Sequence, residues 1–183
     1  NDATVYRLFS GTHNMEKMKT LLFITSLFIT TNSFAQLPVW IQVTGKPETK
    51  LILQQAYTKD EIIEKYGEPK EFETHDDEAF DGIVSSYTYD ELYIHLLENK
   101  LNQFSFNDNR LELKMECWNM TIKIGDDINQ YRNLPKDKAY KVENYGEYLR
   151  VYPIINDIHY DEQLILYYDK DKKIRAIEWF VPV

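Results

Sequence analysis

The chain has 183 residues, 43% hydrophobic and 28% charged, a mixture too apolar for a disordered chain and too charged for a membrane bundle. Its 30 acidic residues outnumber 21 basic ones, and a surface of net charge −9 repels phosphate, which argues against DNA, RNA or anionic lipid as a partner. The single cysteine, Cys117, excludes an internal disulfide and leaves stability to the apolar core.

In chain order, Asn1–Asn14 precede the first methionines, Met15 and Met18, and read as an upstream extension without function. Residues 15–35 read as a secretory signal peptide. A basic-leaning start (MEKMK) leads into the apolar run Leu21–Thr30, shorter than the ~20 residues that span a bilayer. Ser33 and Ala35 then offer the small residues of a cleavage site, with the cut expected after Ala35. A buried core helix or a retained anchor would give a similar run. No cysteine follows to accept a lipid, so the expected location is periplasmic or secreted, with no membrane insertion after cleavage. Loss of Arg7, Lys17 and Lys19 with Asp2 and Glu16 makes the remainder, from Gln36, one charge more negative.

Residues 36–56 (around LPVWIQVTGKPETK) read as a lead-in strand and turn. A first unit spans 57–121. Thr58 and Glu61 form a capping box, Ile62, Ile63 and Tyr66 share one helical face, Gly67 can take the left-handed cap, and Pro69 stops the helix. So short a helix needs an apolar support. The strands IVSSYTYD, LYIHLLE, LNQFSF and LELKMEC supply it, alternating with period two as an antiparallel sheet with one covered face does. Alternation with Leu111, Leu113 and Met115 places Cys117 on the apolar side of the last strand as an inert thiol.

A second unit spans 122–183. IKIGDDINQYRNLP reads as a helical segment with Asp126 as cap, Ile128 and Tyr131 facing inward and Pro135 as stop, followed by the strands EYLRVYPI, EQLILYYD and KIRAIEWF. The expected fold class is therefore α+β: two tandem units, each a short helical segment packed on a curved antiparallel sheet. One continuous sheet with incidental helices would leave similar local patterns, and hairpins with charged turns also recur by chance. The join CWNMT lacks Gly and Pro and contains Trp118, which suits a packed junction.

The DEIIEKYGEP entry, the Tyr-rich strands, the Leu-x-x-Phe hairpin and the second start IKIGDDINQY resemble the small exported modules of the SmpA/OmlA (BamE-like) and beta-lactamase-inhibitor-protein-like superfamily. The resemblance covers about 51–183. It implies helical segments on one face of a curved antiparallel sheet, in tandem copies. The BamE branch sits behind a lipid-modified cysteine that this chain lacks, and no contact residue carries over position by position.

The residues give no catalytic, cofactor or metal set. Ser85 and Ser86 sit mid-strand without a Gly-flanked elbow, the six glycines are scattered, and Cys117, His75, His95 and His159 lie far apart. The acidic run Glu73–Gly82 has oxygens for a cation but lacks the alternating order of a calcium loop, so a solvated hairpin loop is the plainer reading. Tyrosine is the informative residue, at 14 in the chain. Rings with few rotatable bonds concentrate at binding surfaces, although tyrosine also favours strands. Tyr93 and His95 project opposite Leu92, Ile94 and Leu96. With Tyr87, Tyr89, Tyr152 and Tyr167 they form the candidate partner-binding set on an open sheet face. The functional expectation is an exported, non-enzymatic module that binds a protein or an envelope polymer. A small secreted hydrolase using the acidic loop and a histidine, or a structural envelope component, are the alternatives.

Overall fold

Alternation of apolar and polar side chains carries most of the described residues into strands. They are β1 (Val39–Val43), β2 (Lys46–Ile52), β3 (Glu71–Asp77), β4 (Gly82–Thr88), β5 (Leu92–Leu97), β6 (Lys100–Phe106), β7 (Leu111–Met115), β8 (Met120–Lys123), β9 (Ala139–Asn144), β10 (Tyr148–Ile155), β11 (Ile158–His159), β12 (Gln163–Tyr168) and β13 (Ile174–Phe180). Among the described residues one α-helix, α1 (Lys59–Tyr66), joins them. The computed structural model describes residues 39–155, 158–159 and 161–182, all within one unit spanning 36–183. The expected upstream extension (1–14), signal peptide (15–35) and cleavage after Ala35 lie outside the described residues, as does the side chain of Cys117.

The chain is an antiparallel β protein, not the α+β pair of helix-on-sheet units expected from the sequence. Its larger sheet has nine strands in the order β11-β10-β12-β13-β6-β5-β4-β3, with β9 also paired to β10. A second sheet of four strands has the order β2-β1-β7-β8. The lead-in is thus a hairpin in its own sheet, and LELKMEC joins that sheet instead of the one holding β4 to β6. Position 117 falls in a 3-10 turn, Glu116–Trp118, beyond the end of β7.

Among the described residues the helical component is not duplicated. α1 forms because its ends are satisfied: Thr58 Oγ1 accepts from the Glu61 N–H while the Glu61 carboxylate accepts from the Thr58 N–H. At its other end Gly67 takes φ +83 with ψ −175, open to glycine and costly for other residues, and its N–H donates to the Ile63 carbonyl at 2.7 Å. The second segment yields only a 3-10 turn, Ile128–Gln130, capped by Asp127 and not by Asp126. Asp126 instead accepts from the Lys123 N–H and the Tyr131 hydroxyl. Gly125 at φ +92 ends β8, and the Ile128 N–H is taken by the Lys172 carbonyl of the β12–β13 turn. That tether, the asparagines at 129 and 133 and the stop at Pro135 all disfavour continuing the turn as an α-helix.

The two sheets share one core. Tyr87, Ile94, Phe104, Trp179, Leu164 and Val151 stand opposite one another on successive strands of the large sheet, each at most 1% exposed. Val39, Ile41, Leu51, Leu113 and Ile122 of the small sheet belong to the same cluster, as do Ile62 of α1 and Ile128 of the 3-10 turn. Burying each such side chain favours folding by about 1.5–3 kcal/mol. The strands from the two halves meet at β6 and β13 through Phe106–Ile177, Ser105–Glu178 and Phe104–Trp179, so the large sheet runs without interruption from one half into the other. The Trp118 indole N–H, donating to the Ile154 carbonyl at 3.0 Å, ties the junction to β10.

Candidate binding face

One face of the large sheet lies on the core, and the other carries a different set of side chains. Register places Thr88, Tyr93, Ser105, Glu178, Ile165, Arg150 and Glu143 opposite one another in sequence across the sheet. A second row holds Ala176, Tyr167 and Tyr148. Where the core row is sealed, Tyr93, Arg150, Tyr148, Tyr152 and Tyr167 are half-buried.

The six candidate residues separate on this frame. Tyr93, His95, Tyr152 and Tyr167 lie on the outer face. Tyr87 does not: it points into the core at 1% exposure, because it shares its side of β4 with Ser85, whose neighbour Leu96 is a core residue. Tyr89 lies past the end of β4, packed against the core, and its hydroxyl donates to the Gly67 carbonyl at 3.0 Å.

At one end of the face, the Tyr93 ring stacks on His95 at 6.4 Å, and its hydroxyl lies 3.1 Å from Ser86 Oγ. His95 is 6% exposed, partly shielded by Phe80, whose ring from the β3–β4 turn lies 5.5 Å away. Burial pushes the His95 imidazole below its ordinary pKa, His75 adds to that, and the Asp77 carboxylate opposes it.

The other end is an aromatic cluster. Tyr145 stacks on Tyr148 at 4.8 Å with 19° between the rings, and Tyr148 meets Tyr167 at 5.5 Å. The Arg150 guanidinium lies 5.1 Å from the centre of the Tyr145 ring and 5.9 Å from that of Tyr148, within cation–π range. Glu143 accepts from the Tyr145 hydroxyl at 2.8 Å and the Tyr152 hydroxyl at 3.1 Å and pairs with Lys141 at 2.6 Å; these partners, Lys141 first, hold its carboxyl below the usual range. The Tyr167 hydroxyl donates to Glu178 at 2.9 Å, and burial with that carboxylate pushes it up to about 12. Tyr145 and Tyr148 were outside the expected set. Tyr145 sits in the β9–β10 turn, where alternation assigns no face, although Tyr148 shares the parity of Tyr152.

His75 Nε2 lies 3.5 Å from Asp77 Oδ2 on an exposed hairpin; of the acidic stretch expected as a loop, 73–77 belong to β3 and 78–81 form the turn. A cleft of about 530 Å³ opens beside Tyr66 and Tyr89, and one of about 270 Å³ beside Tyr93; neither is lined by a histidine. Among the described residues, no three His, Cys, Asp or Glu converge to hold a metal, and no helix is long and apolar enough to cross a membrane.

No family model and no curated protein matches the chain. A crystal structure of an extracellular protein containing a SCP domain, from Bacillus anthracis str. Ames, is similar with a TM-score of 0.38 and 12% identity, over 69% of this chain and 44% of that one. The chain thus spans less than half the length of that protein, and a likeness of this extent carries no argument about either fold or role.

Proposed function

We propose that the chain is an exported, non-enzymatic binding module that holds a protein partner against the outer face of its large sheet. The observation that carries this reading is the contrast between the two faces of one sheet: the core row is sealed, while the outer face keeps Tyr93, Tyr148, Tyr152, Tyr167 and Arg150 half-exposed. Tyrosine and arginine dominate the energetics of protein interfaces, since each brings a large, stiff contact area together with a polar tip. Pairing of Glu143 and Glu178 with tyrosine hydroxyls orients those rings before a partner arrives, which lowers the ordering cost of binding. The resemblance of the α1 entry to exported SmpA/OmlA-type modules, and the apolar run ahead of Gln36, belong to the same reading.

The test is capture by cross-linking from the native host, with the wild-type chain and with Tyr145→Ala/Tyr148→Ala. Tyr145 is 49% exposed and Tyr148 half-buried, so the double variant should stay folded, with wild-type far-ultraviolet circular dichroism, while the captured protein is lost, a hot-spot effect of about 2 kcal/mol or more. Equal capture by both chains would refute the outer face as the site. Recovery of a polysaccharide in place of a protein would change the class of partner.

A further inference from the structure

Among the described residues, several strands end a sheet on one side, and all but one of them are blunted. β2 carries Lys46, Pro47 and Lys50 and slips register against β1 between Ile41 and Val43. β8 has four residues and β11 two. β9 carries Lys141 and lies against the irregularity at Tyr152 and Pro153. Charged side chains (lysine above all), proline, bulges and shortness are the devices that keep an open edge from recruiting another chain.

β3 has only charge, in its acidic side chains. It runs seven residues (EFETHDD) without proline, glycine or lysine, and keeps seven unbroken register pairs with β4, from Glu71–Thr88 to Asp77–Gly82. Among the described residues its other side meets no strand, and its first six residues are exposed. Such an edge presents a row of free backbone N–H and C=O groups.

Charge decides what can occupy it. Glu71, Glu73, Asp76 and Asp77 are all on β3, so two copies laid side by side would bring two acidic strands together, with Glu71 against Asp77 in the centred antiparallel register, which disfavours self-pairing. The same row attracts a strand of opposite sign. We infer that β3 is a docking edge for an extended basic segment of a partner protein, added to the large sheet as a further antiparallel strand. Register fixes the pattern of that segment. Read from the residue opposite Asp77, it is basic, basic, two small polar residues, basic, apolar, basic. The apolar position faces Phe72, whose ring is 37% exposed and packs on Tyr87 at 4.9 Å. Its residues opposite Glu71, Glu73 and Asp77 would lie on the same side of the sheet as Tyr93, since Glu71, Thr88 and Tyr93 are register partners. The site does not rest on the outer-face proposal, and the Tyr145→Ala/Tyr148→Ala variant leaves it intact.

The probe is a fluorescein-labelled, amidated peptide, Lys-Lys-Thr-Thr-Lys-Val-Lys, titrated with the full chain by fluorescence anisotropy. Two further peptides carry N-methyl groups on alternate residues, one set in each phase, because only alternate amides of an added strand point at the edge. The parent should bind, one N-methylated phase should bind about tenfold more weakly or worse, and the other should match the parent. Glu71→Lys/Glu73→Lys, at two exposed positions, should weaken the parent by about tenfold. Absence of parent binding, equal binding of the two phases, or equal binding of a scrambled peptide of the same composition would each overturn the inference. The last two would reduce it to attraction between net charges. The phase comparison uses the native chain, so it stands even if the lysine variant does not fold.

Discussion

His95 shows how one side chain links the outer face to stability. Burial depresses its pKa in the folded chain from the ordinary 6.5, so near that pH the unfolded chain binds more protons than the folded one. Stability therefore rises with pH through this window and falls on acidification. Between about pH 7.5 and pH 5.5 the wild type should lose more stability than His95→Gln, measured by urea unfolding at both values. An equal slope in the two proteins would show that His95 is not desolvated. Residue by residue, the sequence was only partly legible. In LYIHLL the apolar side is plain, and Tyr93 and His95 project opposite Leu92 and Ile94. In IVSSYTYD it is not, because Ser85 occupies a position on the core side, its hydroxyl 3.1 Å from that of Thr74, and so nothing marks Tyr87 as a core ring.

At the scale of elements, α1 could be read because its signals are local: a Thr and a Glu three residues apart, then Gly67 and Pro69. With Ile62 as its buried anchor, the helix rests on few contacts. Thr58→Ala removes one side of the capping box and should cost about 1 kcal/mol, read as a shift of the urea midpoint at constant slope. No measurable shift would mean that packing alone holds the helix. Non-local signals defeated the same reading elsewhere. INQYRN has helical spacing, but the carbonyl of Lys172, far along the chain, fixes its start. The run Glu73–Gly82 has little apolar alternation and reads as a hairpin loop, yet its first five residues belong to β3. That strand forms because β4 offers seven register partners, a tertiary cause that no window of sequence contains.

For the whole molecule, the two similar hairpins LYIHLLENKLNQFSF and LILYYDKDKKIRAIEWF are visible in the sequence, but their relation is not. They are β5–β6 and β12–β13, and they meet along β6 and β13 within one sheet over one core. Cooperativity follows. Unfolding should show a single transition, the same by far-ultraviolet circular dichroism and by tryptophan fluorescence. Trp179→Ala, at the seam opposite Phe104, should lower that one transition by about 3–5 kcal/mol without splitting it. Two separate transitions would restore a picture of independent halves.

That seam also sets a length. From β5 to β10 the strand path crosses β6, β13 and β12 in four steps of roughly 4.8 Å, so about 19 Å separate the Tyr93 end of the face from the Tyr148 end. A metabolite resting on one end leaves the other untouched. Only a body with comparable breadth registers both at once, and such a body is chosen by its outline before any single contact is made.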